Sequence, residues 1–257
     1  MILKRNCNYP VKNQNRTLHI YLPDDYDQSE ERYPVMYFFD GHNLFYDEDA
    51  TYGKCWGLKE FLDDYDKKMI IVSMECSHEG NDRLSEYSPY KAYKGEFSKI
   101  TPLGDETLRW IVEDIKPVID REYRTYSHRE ATGIGGSSMG GLMAIAGLVK
   151  YNHIFSKGAC VSPAIGFCMP KLMRDMKNAK INPDTRAFLS WGTREARGVK
   201  NHEEIDSSSY TYRRNKSVAN KFEEKGAMAQ LYCQLGGEHC EADWEKQIPV
   251  FMDYLWK

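Results

Sequence analysis

No apolar run in these 257 residues approaches the length needed to cross a bilayer, and polar Asn6, Asn8 and Gln14 interrupt any apolar stretch near the N-terminus. A membrane partner is therefore not expected, and a cytoplasmic location is. Charge of one sign is also lacking: 38 acidic and 35 basic residues leave a net charge of -3. Without basic clustering, nucleic acid is not an expected partner. The seven cysteines are odd in number and widely spaced, which makes neither a zinc pattern nor a disulfide framework. Reduced thiols are the expectation. Internal repeats, low-complexity tracts and linkers are missing too.

What is present is an ordinary globular balance, 41% hydrophobic and 28% charged, in a chain of the size of one large α/β domain. A single domain over 1–257 is expected. The aromatic content of 13% is rich, and core filling with amphipathic surface accounts for it more readily than a dedicated stacking site. Apolar runs of strand length alternate with helical patterns, the signature of a mostly parallel sheet covered on both faces. Strands are read at Leu18–Leu22, Tyr33–Phe39, Met69–Met74, Ala131–Gly135, Lys157–Ser162, Arg186–Trp191 and Ala229–Leu235. Helices are read from Glu106 to Tyr123, where Pro117 should kink or split the pattern, at Met139–Val149, at Lys216–Gly226, and in a last helix carrying Trp244, Ile248, Phe251, Met252 and Leu255. From Thr193 to Asn215 no periodicity is clear, and the stretch is long enough for a functional loop.

Gly136-Ser137-Ser138-Met139-Gly140 is a G-x-S-x-G frame lying between an expected strand and an expected helix. Such a turn forces the serine into strained backbone geometry, and glycines two positions to either side let strand and helix pass. The Ser138 hydroxyl would stand above the sheet, over a helix N-terminus that favours developing negative charge. A glycine-rich turn without chemistry is the plainer alternative. A serine hydroxyl needs a base, which in this arrangement comes last in chain order. His239 follows the last strand through Gly236-Gly237-Glu238, whereas His19, His128, His153 and His202 lack the order or the position. The orienting acid should follow the strand Arg186–Trp191. Glu195 lies nearest to that strand, with Glu203, Glu204 and Asp206 further along the loop. For an oxyanion hole, the Met139 N–H would supply one donor. The turn Asp40-Gly41-His42-Asn43 would supply the other, and sequence leaves His42 and Asn43 both open.

With these motifs in this order, the chain resembles the esterases related to esterase D, enterochelin esterase, and the feruloyl and acetylxylan esterases. The resemblance spans roughly residues 15 to 256. It is carried by Asp40-Gly41-His42-Asn43-Leu44-Phe45 with Trp56-Gly57, Arg83-Leu84-Ser85-Glu86-Tyr87-Ser88-Pro89, the Ser138 motif, Trp191-Gly192-Thr193-Arg194-Glu195, and Gly237-Glu238-His239 ahead of Trp244. It implies an α/β-hydrolase fold, a three-layer sandwich with a mostly parallel central sheet and no large cap. It also implies a Ser-His-acid triad and carboxylic ester substrates, with no cofactor and no metal. Arg83, Glu86 and Trp191 are the candidate substrate-binding residues. Arg83 with Glu86 reads equally well as a buried structural ion pair. The partner expected is a small-molecule ester, such as an acylated sugar. A homo-oligomer is compatible with this reading.

Overall fold

The computed structural model describes residues 1–92, 95–199 and 201–256. Its frame is one eight-stranded sheet: β1 Ile2–Tyr9, β2 Gln14–Tyr21, β3 Val35–Phe39, β4 Ile70–Met74, β5 Thr132–Ser137, β6 Lys157–Val161, β7 Arg186–Gly192 and β8 Met228–Gln234. Their spatial order is β1-β2-β4-β3-β5-β6-β7-β8. The first two strands form an antiparallel hairpin, β2 runs antiparallel to β4, and all remaining pairs are parallel. The helices are α1 Leu58–Asp64, α2 Asp82–Glu86, α3 Gly104–Trp110, α4 Lys116–Glu122, α5 Met139–Lys150, α6 Met169–Asn178, α7 Tyr210–Glu223, α8 Glu241–Glu245 and α9 Ile248–Trp256.

Alternation along the central strands divides the apolar residues between two faces. Val35, Tyr37 and Phe39 of β3 join one core with Ile70 and Val72 of β4, and α5, α6 and α7 cover it. Met36 and Phe38 join the other core with Ile71, and α1 and α9 cover that one. The result is helix, sheet, helix: the expected three-layer α/β-hydrolase sandwich. Every residue of β3 and β4 is buried, which is why their sequences are continuous apolar runs instead of alternating ones. Among the described residues no helix is long and apolar enough to cross a membrane.

Several boundaries differ from the sequence expectation for identifiable reasons. β1 falls in a polar stretch outside the strands expected from sequence, because an edge strand with one wet face needs few apolar residues. The Glu106–Tyr123 pattern is irregular ahead of Pro117: a π-type segment, Ile111–Ile115, lies between α3 and α4, and Pro117 is the second residue of α4. Helix α7 starts six residues before the expected Lys216, on the side chain of Ser209, which accepts the Tyr212 N–H at 3.1 Å. The structureless segment therefore ends near Ser209, and Lys200 within it lies outside the described residues. The last expected helix is two, α8 with Trp244 and α9 with Pro249 at its second position.

Candidate active site

Ser138 stands at the junction of β5 and α5 with φ 57° and ψ -117°, a conformation that costs an L-residue on the order of 1–3 kcal/mol. The glycines beside it are there for space. A Cβ on Gly136 would lie 2.9 Å from the Gly140 backbone, and one on Gly140 would lie 2.9 Å from the Phe39 side chain. The strained turn is pinned to the neighbouring strand: the Ser138 N–H donates to the Val161 carbonyl at 3.0 Å, and the Ala164 N–H donates to the Ser138 carbonyl at 2.9 Å.

Those two bonds bracket Ser162, itself at φ 43°. Its hydroxyl donates to Glu195 Oε1 at 2.5 Å and accepts the Trp244 indole N–H at 3.1 Å. Glu195 also accepts the Gly192 N–H at 2.6 Å, and its other oxygen bonds His239 Nδ1 at 2.5 Å. The Trp244 ring meets the His239 ring edge-on at 5.0 Å between centroids. Thus one chain of contacts runs from the Ser138 turn through Ser162 and Glu195 to His239. Among the described residues no hydrogen bond joins the Ser138 hydroxyl to His239; such bonds commonly form only with substrate in place. Glu203, Glu204 and Asp206 are held elsewhere: Glu203 faces Arg194, Glu204 accepts from Asn201, and Asp206 caps Ser208.

The turn after β3 has Asp40 at φ 58° and ψ 52°, followed by the 3-10 turn Gly41–Asn43. The Asn43 N–H is engaged by the Asp40 carbonyl at 2.9 Å. Of the two N–H groups that sequence left open, Asn43 is thus occupied and His42 is not, among the described residues. Met139, the first residue of α5, has its N–H in the helix's unpaired first turn. The His42 side chain is buried, and burial pushes its imidazole down from the ordinary histidine value, so it is neutral at physiological pH.

Arg83 and Glu86 do not pair with each other. Arg83 turns to Asp40, its Nε 2.7 Å from Oδ1 and its terminal nitrogen 2.7 Å from Oδ2. Glu86 is 2% exposed, bonded to Arg16 and to the Ser77 N–H. Trp191 is 3% exposed and packs edge-on to Tyr212. Glu86 and Trp191 are therefore both buried side chains. Sequence reasoning missed Ser162, the long-range bond that Trp244 makes with it, and Glu241. That last carboxyl is pushed up by burial and accepts from Asn43 Nδ2 at 3.4 Å beside the same turn.

Asp40, His42 and Cys76 bring metal-ligand atom types within 4.8 Å of one another. A metal ion does not suit them, since both Asp40 oxygens accept from Arg83 and the ion would sit against that guanidinium. The seven cysteines are free thiols, in keeping with their wide spacing.

The fold is that of the α/β-hydrolases. The model of the Esterase family, described as "Putative esterase", matches residues 10–253, and the chain belongs to that family of carboxylic ester hydrolases. Among curated relatives, the uncharacterized protein YbbA of Bacillus subtilis is 23% identical over 94% of this chain and 93% of its own. Esterase Rv1288 of Mycobacterium tuberculosis is 30% identical over 58% of this chain, a match that spans 30% of that protein. Among solved structures, an IroE-like serine hydrolase from Shewanella oneidensis superimposes with a TM-score of 0.71 at 21% identity, covering 99% of this chain and 79% of that one. The siderophore hydrolase EstA of Aspergillus nidulans gives 0.71 at 18% identity, covering 100% and 95%.

Proposed function

We propose that the chain is a serine esterase in which Ser138 attacks the ester carbonyl, His239 takes and returns its proton, and Glu195 orients the imidazole. The observation that carries this reading is the Glu195–His239 bond at 2.5 Å, buttressed through Ser162 to the strained turn that holds Ser138. The Ser138 oxygen bonds the carbonyl carbon while its proton passes to His239, and the alcohol leaves with that proton. Water then repeats the sequence on the acyl-enzyme. The Met139 and His42 N–H groups are the donors for the oxyanion. Asp40, Arg83 and Glu241 lie beside this site.

The substrate class proposed is a small-molecule ester carrying a small acyl group on a sugar or comparable polar alcohol. Siderophore and ferulic acid esters, named for structural relatives, are the natural comparison substrates. A thioesterase role of the S-formylglutathione hydrolase kind is the second enzyme reading, since such a protein shares the fold with a TM-score of 0.63. Turnover of p-nitrophenyl acetate, butyrate, octanoate, methyl ferulate and a glutathione thioester, by wild type and Ser138→Ala, tests the proposal. Wild type should cleave an oxygen ester, label with a fluorophosphonate, and lose both properties by orders of magnitude in Ser138→Ala. Activity within tenfold of wild type in that variant would refute it.

A further inference from the structure

The turn proposed to supply the second oxyanion donor begins at an aspartate in a left-handed conformation, which glycine or asparagine adopts more readily. Asp40 is only 3% exposed, so its charge has almost no water around it. Burial alone would raise the carboxyl, but the Arg83 guanidinium beside it holds it below the usual carboxylate range. The contact is side-on and two-pronged, the geometry that fixes a carboxylate's orientation as well as its charge. From the same short helix, α2, follows Tyr87, whose hydroxyl accepts the Asp40 N–H at 3.2 Å and whose ring lies under Arg83 at 5.3 Å. Backbone and side chain of Asp40 are thereby held by two residues of one segment.

The carboxylate also lies close to the proposed chemistry. A methyl group on Gly140, two residues beyond Ser138, would stand 3.4 Å from Asp40 Oδ2. An unpaired negative charge there would oppose the negative charge developing on the ester oxygen.

We infer that Arg83 and Asp40 are positioning residues of the oxyanion site: their ion pair locks the left-handed turn that presents the His42 N–H, and Arg83 cancels a carboxylate charge beside the developing oxyanion. This rests on the assignment of Ser138 as nucleophile. Arg83 acts through Asp40 and the turn, and touches no substrate.

The experiment compares Arg83→Gln, Arg83→Lys, Asp40→Asn and the double variant Arg83→Gln/Asp40→Asn on one acetyl ester. It also follows the rate of fluorophosphonate labelling, since a phosphonyl oxygen occupies the same hole as the oxyanion. Arg83→Gln should lower kcat by about 10²–10³, as losing one oxyanion donor does, with KM changed less than about threefold, and should slow labelling in parallel. Arg83→Lys keeps the charge but not the fork and should fall between. The double variant should regain roughly tenfold over Arg83→Gln, because the uncompensated carboxylate is gone. If Arg83→Gln fails to fold, Arg83→Lys and Asp40→Asn carry the same comparison. The inference is overturned by wild-type kcat and labelling in Arg83→Gln, by a loss confined to KM, which would make Arg83 a substrate clamp, or by losses that simply multiply in the double variant. If wild type itself does not label, the Ser138 assignment falls and this inference with it. Wild type that labels, beside Arg83→Gln that labels as fast, removes this inference alone.

Discussion

His239 keeps 43% of its side chain exposed, whereas its partner Glu195 keeps 11%. The imidazole is therefore open to solvent, while the carboxylate is held by the Ser162 hydroxyl and the Gly192 N–H. From this follows a sharp contrast between carboxylates of the same loop. Glu195→Gln should lower turnover of an acetyl ester by about two to four orders of magnitude, and Asp206→Asn, at a carboxylate that accepts from the Ser208 N–H and hydroxyl, should leave it within a few-fold. Kinetics of the two variants side by side check it, and a near-normal turnover for Glu195→Gln would remove it from the proposed triad. Much of this site was legible, because its parts sit at strand ends and the strands announce themselves: Ser138 follows one, Glu195 another and His239 the last. Ser162 and its bond with Trp244 were not legible. A serine bridging an acid and an indole across 33 and 82 positions leaves no local pattern, and the pairing of Arg83 with Asp40 across 43 positions is of the same kind.

At the level of elements, the buried strands β3 to β7 could be read from sequence to within a residue or two, with near-continuous apolar runs marking β3 and β4. What escaped was amphipathic or short. β1 exposes alternate polar residues, α6 is short with one apolar stripe of Met169, Leu172, Met173 and Met176, and the start of α7 depends on a serine cap inside a serine-rich run. The joint that matters most for chemistry lies between the ends of β7 and β8. There a Cβ on Gly192 would come within 2.1 Å of the Gly237 carbonyl oxygen, while the Arg194 N–H donates to that same carbonyl at 3.0 Å. Two backbones touch at this point, one leading to Glu195 and the other to His239. Gly192→Ala must push them apart. Such overpacking costs about 1–3 kcal/mol, so the melting temperature should drop by roughly 2–10 °C, and activity per folded molecule should fall at least about tenfold because acid and base no longer register. Calorimetry, with kinetics well below the transition, separates the two effects. Wild-type activity per folded molecule would mean that this contact does not set the alignment.

Over the whole molecule, Ser138, Glu195, His239 and the Asp40 turn gather where the parallel strands end, and a second edge lies where those strands begin. Lys157, the first residue of β6, lies at that second edge. Its amine lies over the Trp256 ring at 4.8 Å and donates to the Ser156 hydroxyl and to the Glu130 carbonyl. Burial, with the Arg186 charge adding to it, pushes this lysine down from 10.5 to about 8. The sign follows from proton counting. Between pH 8 and 10.5 the unfolded chain still holds the proton that the folded chain has released, so raising the pH across this window favours the folded state through this group. Below pH 8 both states are protonated, and the full cost of enclosing the charge remains. The buried tyrosines act in the opposite sense above pH 10, since burial raises Tyr37 and Tyr87 and keeps them neutral in the fold while the unfolded chain ionises. A bare pH profile would therefore mix the two. The difference in unfolding free energy between wild type and Lys157→Met cancels the tyrosines, and it should shift in favour of wild type as pH rises from 7.5 to 10, with esterase activity at neutral pH unchanged by the substitution. Urea denaturation of both proteins at the two pH values measures it, and a difference that stays constant across the window would show that Lys157 is not perturbed by its surroundings.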